Sequence, residues 1–357
     1  MKKLFLALSG FVLLQVSEAQ ISAPKYSNEF LNIGVGARAL GMSNVHTAIV
    51  SDVTAGYWNP AGLLQIKSKY EVALMHSEYF AGIAKYDYAG FATPIDTNSV
   101  LGISVIRFGV DDIADTRFLY DADGNLDYSK IKFFAAADYA FLFSYARKTS
   151  FIPGLRLGAN FKIIHRSVGD FANAWGFGLD AGAQYEKNGW LFGLTGRDIT
   201  GTFNAWTHNT ELIKDVYAKT NNEIPDNSIE LTLPRLVFGV AKNFLIKKKI
   251  GLLAAADFDF TFDGKRNVLV KTNLVSLDPH IGIEADYKKI VYLRAGLGNI
   301  QQIKDFDDKT YTSLQPNFGL GVRINKRFYI DYALTDIGNT SEALYSNVFS
   351  VKLALNK

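Results

Sequence analysis

The sequence predicts an all-β chain: a closed antiparallel transmembrane β-barrel of about 14 strands, with an N-terminal segment plugging its lumen. Three observations carry this. A short apolar stretch at the N-terminus has the form of an export signal. From about residue 70 onward, apolar and small or polar residues alternate with period two in segments of about ten residues. The gaps between these segments also alternate, short ones with long ones.

Lys2 and Lys3 are followed by an apolar core from Leu4 to Leu14, and Ser17-Glu18-Ala19 offers small residues before a cleavage point at Gln20. Residues 1–19 therefore read as a signal peptide, since about 11 apolar residues are too few to span a bilayer. Removing them changes the formal charge from +3 to +2, by losing Lys2, Lys3 and Glu18. No Cys follows, which excludes a lipid anchor, a disulfide framework, a thiolate metal site and a cysteine nucleophile. Near-balanced charge implies no nucleic-acid field. A hydrophobic fraction of 48% leaves no room for intrinsic disorder.

The alternation is plainest at Trp175, Phe177, Leu179, Ala181, Ala183 and Tyr185, interleaved with Gly176, Gly178, Asp180, Gly182, Gln184 and Glu186. Period two places these sets on opposite faces of a strand. Phe318 to Ile324, Phe328 to Leu334, Phe349 to Leu355 and Leu157 to Ile163 repeat the pattern. Apolar residues facing lipid and polar residues facing a lumen would produce it. The expected strands are 70–77, 87–94, 99–108, 133–147, 155–167, 175–186, 190–198, 235–243, 250–262, 279–287, 290–298, 314–324, 327–335 and 346–355. If the first strand rises outward, the even gaps should be short periplasmic turns; Ile95–Asn98, Lys148–Gly154, Lys187–Gly189, Phe244–Lys249, Lys288–Lys289 and Asn325–Lys326 are. The odd gaps include Gly109–Lys132, Ile199–Pro234, Phe262–Asp278 and Asn299–Ser313. An even count closes the sheet with both termini in the periplasm, in a Gram-negative outer membrane. Trp175, Trp190, Tyr185, Tyr287 and Tyr292 suit the headgroup level. The chain divides into a signal peptide (1–19), a lumenal hatch segment (20–68) and the barrel (69–357).

Residues 30–64 are Gly-rich and lack strand alternation. Asn59-Pro60 reads as a turn, Gly56 and Gly62 permit close backbone approach or positive φ, and Trp58 stands beside them. Arg38 needs an acidic partner inside a lumen; Asp180, Asp257, Asp259, Glu284, Asp286 and Asp331 are the inward candidates. Asn59-Pro60-Ala61-Gly62-Leu63 resembles the hatch signature of FadL-type outer-membrane transporters of hydrophobic compounds. The fuller pattern, Gly34-x-Gly36-Ala37-Arg38-Ala39-Leu40-Gly41-Met42 followed by Ala55-Gly56-Tyr57-Trp58-Asn59-Pro60-Ala61-Gly62-Leu63, is similar to the PorV/PorQ branch of that superfamily. The resemblance implies a 14-stranded barrel with a lumenal hatch. It also implies a role in the type IX secretion system of Bacteroidota-type bacteria, binding a large translocon barrel and exported cargo at the outer face.

Catalysis finds no support. His46, His76, His165, His208 and His280 are scattered, and no Gly-x-Ser-x-Gly elbow occurs, so no enzyme, metal or cofactor is expected. Asp121-Ala-Asp123-Gly124-Asn125-Leu-Asp127 departs from a calcium loop, with Leu126 at the sixth position and Lys132 in place of the closing Glu; it reads as a polar turn. Lys247-Lys248-Lys249 reads as a solvated turn. The C-terminus lacks the terminal Phe that barrel assembly often favours.

Two functions remain. In the first, the long loops bind protein partners; Phe203, Trp206, Leu212, Ile213, Val216 and Tyr217 form an apolar tip for a protein or lipid surface, or fold over the barrel mouth. In the second, the barrel passes hydrophobic solutes and can hold one in its lumen. Inward Arg156, Lys162, Arg294, Arg323 and Lys352, mixed with the acids, argue against an oily conduit.

Overall fold

A computed structural model describes residues 21–22, 26–121, 123–220, 223–225, 227–246, 249–304, 307–325, 327–337 and 345–356. The expected signal peptide lies outside these residues, as do Lys247 and Lys248 and the side chain of Val216.

Fourteen antiparallel strands close into one barrel. They are β1 (Tyr70–Tyr79), β2 (Ala84–Pro94), β3 (Ser99–Asp115), β4 (Lys132–Lys148), β5 (Leu155–Val168) and β6 (Ala172–Lys187). β7 comprises Trp190–Arg197 and Thr202–His208, and β8 comprises Ser228–Thr232 and Arg235–Ile246. β9 (Ile250–Thr261), β10 (Ser276–Tyr287), β11 (Val291–Lys304), β12 (Thr310–Ile324), β13 (Phe328–Thr335) and β14 (Ser346–Leu355) complete the wall. β14 pairs with β1 from Asn347↔Glu78 to Leu355↔Tyr70, so no edge is left. The alternating pattern is realised as two wall faces: Leu74, Phe143, Phe161, Leu194, Ile283 and Leu320 are exposed outward, while Ala73, Ser104, Asn160, Asp180 and Glu284 are buried inward. Such an apolar exterior needs no long hydrophobic run, because each strand gives lipid only every second residue.

Short turns gather at one end of the barrel and the longer connections at the other. Asn188 and Gly189 join β6 to β7 in the left-handed region, at φ 52 and 74. That two-residue geometry matches the strand twist and favours Asn-Gly.

Three expected loops are shorter than anticipated, since the strands run on past the membrane pattern. β3 continues to Asp115 around a bulge between Val110 and Ile113, and β11 and β12 extend to Lys304 and from Thr310. The segment 199–234 is mostly regular: Thr202–His208 pairs with Ser228–Thr232, and helix α3 (Thr210–Thr220) caps the hairpin. β7 breaks at Asp198, which is left-handed (φ 54), while its neighbour Ile199 still bonds to the Leu179 carbonyl at 2.9 Å. β8 breaks at Leu233-Pro234, where proline has no N–H to give the ladder.

Residues 26–68 lie inside the barrel and carry short helices α1 (Ala37–Leu40) and α2 (Ala55–Trp58). Val35, Met42, Val45, Ala55, Ala61 and Leu63 are almost wholly inaccessible, so this segment forms the core against the inner wall. Ile21–Ser22 pairs in parallel with Ile229 and Glu230 at the long-loop end, whereas β14 finishes at the short-turn end beside Tyr70. The described residues therefore start and finish at opposite ends of the barrel, because the inner segment adds one more crossing of the lumen.

Candidate functional site

Asn59 is the centre of the inner segment's contact with the wall. Its side chain is 0% exposed. Its Oδ1 accepts from the Ala61 amide at 3.2 Å, capping the 3-10 turn Pro60–Gln65, with Pro60 at the first position where no N–H is needed. Its Nδ2 donates to the carbonyls of Thr47 (3.1 Å) and Ala183 (3.0 Å), tying the segment to itself and to β6. Gln184 reinforces this, donating from Nε2 to Thr47 and Val50 carbonyls at 3.2 and 3.0 Å. Asn59→Asp keeps the shape but turns a donor into a carboxylate facing two carbonyl oxygens. It is expected to lower stability by about 1–3 kcal/mol, chiefly at the Ala183 carbonyl, since Thr47 keeps the Gln184 donor. The temperature at which the compact, heat-modifiable band unfolds on a gel measures the loss.

The other motif residues serve the same contact. Gly34 and Gly36 take φ of +105 and +85, turning the chain into α1. Gly41 lies against Gly319 of β12, where an added Cβ would meet the Gly319 Cα at 2.8 Å. Gly56 lies against Ser104 and Ser144, and Gly62 against the Val50 carbonyl. Both are close approaches, not positive-φ positions. Trp58 donates its Nε1 to the Val35 carbonyl at 2.9 Å and accepts at its own carbonyl from Thr195 at 3.1 Å. The wall answers with glycines of its own. At Gly182 a Cβ would stand 2.2 Å from Asn59 Oδ1, and at Gly296 it would stand 2.2 Å from the Met42 carbonyl carbon. Sequence alternation identifies these wall glycines as inward but gives no hint of what they touch.

Arg38 finds Glu284. Its Nε and Nη2 each lie 2.9 Å from a Glu284 oxygen, a bidentate pair. Arg294 of β11 adds a 2.6 Å bond to Glu284 and a 2.7 Å bond to Asp331. The remaining inward candidates have other partners. Asp180 pairs with Lys162 at 2.7 Å, Asp259 with Arg235, and Asp286 accepts from the Lys289 amide at 2.7 Å. Asp257 accepts the amides of His46 and Thr47, both at 2.9 Å. A second anchor, Lys352 to Asp52 at 2.6 Å, was not foreseen, although Lys352 is one of the inward bases.

Toward the long-loop end the lumen opens into a cavity of about 510 Å³, lined by Asn32, Trp58, Arg197, Arg235, Asp257 and Arg266 among others. It adjoins a second of about 220 Å³. There Ile33, Leu40, Tyr79 and Phe80 form an apolar side opposite Ser43, Asn317 and Gln315. Among the described residues, no group of three or more His, Cys, Asp or Glu side chains could hold a metal ion. Asp121 closes its turn by accepting the amides of Asn125 (2.8 Å) and Asp123 (2.9 Å). The Asn125 amide, foremost, holds its carboxyl below the usual carboxylate range.

The expected apolar tip is not one surface. Phe203 faces outward, 5.6 Å from the Phe177 ring, whereas Trp206 faces inward and donates to Glu230 at 2.9 Å. On opposite faces of one strand they cannot share a surface. Ile213 and Tyr217, one turn apart on α3, line a cleft of about 560 Å³ with Trp206, Phe171 and Ile229; Leu212 stays 38% exposed.

No protein-family model and no curated protein matches the sequence. Solved structures do match. The CymD monoaromatic hydrocarbon channel aligns with 91% of this chain and 98% of its own at a TM-score of 0.56 and 12% identity. The Pseudomonas putida toluene transporter TodX covers 90% and 98% at 0.57 and 12%, and a Pseudomonas aeruginosa FadL homologue 89% and 97% at 0.52 and 12%. The fold is that of the FadL-like channels. These neighbours are channels and transporters, not enzymes.

Proposed function

We propose that this protein is a Gram-negative outer-membrane barrel that admits small hydrophobic molecules, with residues 26–68 as its hatch. The observation that carries this is an apolar-walled barrel with an inner segment, an architecture shared along nine-tenths of the chain with hydrocarbon channels. The 220 Å³ cavity beside Leu40, Tyr79 and Phe80 supports a small ligand, being below the roughly 300–1,000 Å³ of drug-sized pockets. Gly34, Gly36, Arg38, Gly41, Gly56, Trp58, Asn59, Pro60 and Gly62 then act by seating the hatch, not by touching the solute. The detergent-purified protein should retain labelled toluene above a detergent-only control, and Leu40→Asp should lower the amount retained while the heat-modifiable folded band persists. Equal retention with and without the protein would overturn the proposal.

A second reading has its own support: the ion pairs that clamp the hatch and the polar 510 Å³ vestibule suit an anchored plug better than a greasy route. With the 34–63 motif, they favour a PorV/PorQ-like partner-binding barrel of a Bacteroidota-type secretion system, engaging translocon and cargo at the loop end. Phe203 and the α3 residues Leu212, Ile213, Val216 and Tyr217 are the contacts this reading nominates. Purification in mild detergent separates the two readings. A co-isolated large barrel supports the second, and a bound hydrophobe without a protein partner supports the first.

A further inference from the structure

Among the described residues, the outer wall carries an ionic patch on β1–β3 where lipid would be expected. His76 and Glu78 of β1, Lys85 and Asp87 of β2, Arg107 of β3 and Asp111 beside the β3 bulge all lie on its outward face. His76 Nδ1 stands 2.7 Å from Asp87, Lys85 2.9 Å from Asp111, and Arg107 3.5 Å from both Asp87 and Asp111. Their side chains remain partly exposed, from 28% for Arg107 to 58% for Glu78. The patch has apolar neighbours on either side along the strands. Leu74, Phe91 and Ile103 are exposed toward the short-turn end, and Ile83 in the β1–β2 turn toward the other. On the far side of the barrel the outward positions are apolar throughout: Leu252 to Phe260 on β9, Ile281 and Ile283 on β10, Phe318 to Ile324 on β12. Charges facing acyl chains are costly, and natural barrels keep them to the lumen or interfaces.

We propose that this patch is a contact between two copies of the chain, packed side by side along β1–β3. Charge chooses the occupant. Three carboxylates face two bases and His76, and so near a balance the patch offers little to lipid phosphates or to any strongly charged partner. A copy of itself is complementary. A two-fold axis along the membrane normal and through β2 sets β1 of one protomer opposite β3 of the other. Glu78 then meets Arg107 of the second copy, and its Arg107 receives Glu78 in return. The apolar residues on either side pair with their own kind. This contact is independent of what the lumen passes.

The chain has no Cys, so single-cysteine variants report without background. His76→Cys, Asp87→Cys and Asp111→Cys, oxidised or bridged with a short bis-maleimide in isolated outer membranes, should each be compared with Leu320→Cys on the far wall. Heat-modifiable migration confirms that each variant is folded. The expected result is a band of twice the chain mass at one or more patch positions and none at Leu320. Arg107→Glu in the Asp87→Cys background should reduce that band several-fold, and adding Glu78→Arg should restore it. No dimer at any patch position would overturn the proposal, as would equal yields at Leu320 or a cross-link to a different protein.

Discussion

Gly296→Val is expected to unseat the inner segment from the barrel wall. Gly296 sits on the inner face of β11, and a Cβ there would stand 2.2 Å from the Met42 carbonyl carbon and 2.5 Å from the Ser43 amide nitrogen. These are backbone atoms, so no rotamer change relieves the clash, unlike Gly251, whose nearest neighbour is the end of the Asp286 side chain. Overpacking of this kind costs about 1–3 kcal/mol and sometimes more. Because Met42 leads directly into the stretch whose amides bond Asp257, the strain falls on the segment's grip, not on the strand ladder. The folded band should survive at room temperature but be lost at a lower temperature than in the unaltered protein. Single-channel conductance in planar bilayers should rise, as the lumen is vacated. An unchanged conductance together with a lowered unfolding temperature would show that the segment is structural but does not occlude.

Glu284→Ala should be as severe for a different reason. One carboxylate serves two guanidiniums, Arg38 from the inner segment and Arg294 from the wall, with bonds of 2.9, 2.9 and 2.6 Å. The middle of the cluster is shielded, with Glu284 9% and Arg294 3% exposed at the side chain, whereas Arg38 is 24% exposed. Removing one partner of a fully buried pair costs about 3–5 kcal/mol, and solvent at Arg38 puts the loss here at or below the lower end of that range. Arg294 retains Asp331 at 2.7 Å, so the loss falls chiefly on Arg38 and hence on the seat of the inner segment. Asp331→Asn should cost much less, since Arg294 keeps Glu284. The unfolding temperatures of the two variants, ranked against the parent, decide the point. Equal losses would mean that the cluster acts as one unit rather than through Glu284.

The strand plan was largely readable because a transmembrane barrel imposes a period of two, which the wall strands obey apart from the ionic patch on β1–β3. The misreadings cluster where that constraint lapses. Above the apolar band, β3, β11 and β12 continue as polar strands whose outward faces no longer need to be apolar. The hairpin Thr202–His208 and Ser228–Thr232 hid inside an expected loop for the same reason, and because Pro234 reads as a strand end although pairing resumes on both sides of it. Phe203 and Trp206 were grouped by hydrophobicity along the chain. Two residues would share a face only at even spacing, and their separation of three puts them on opposite sides of the sheet.

By itself the sequence determined the barrel, its strand number, its inward and outward faces and the stretch that enters the lumen. Periodicity and turn chemistry are local properties that survive without knowing any neighbour. Only the tertiary structure decided that Arg38 meets Glu284 across 246 positions, that Asn59 bonds Ala183 across 124, and that wall glycines stand where the inner segment presses closest. It also placed Ile21 and Ser22 at the end opposite the one where the last strand finishes. Which inward acid receives a given base depends on barrel closure and on the path of a segment with no repeating pattern. Those are relations between distant residues, and no local pattern in the chain encodes them.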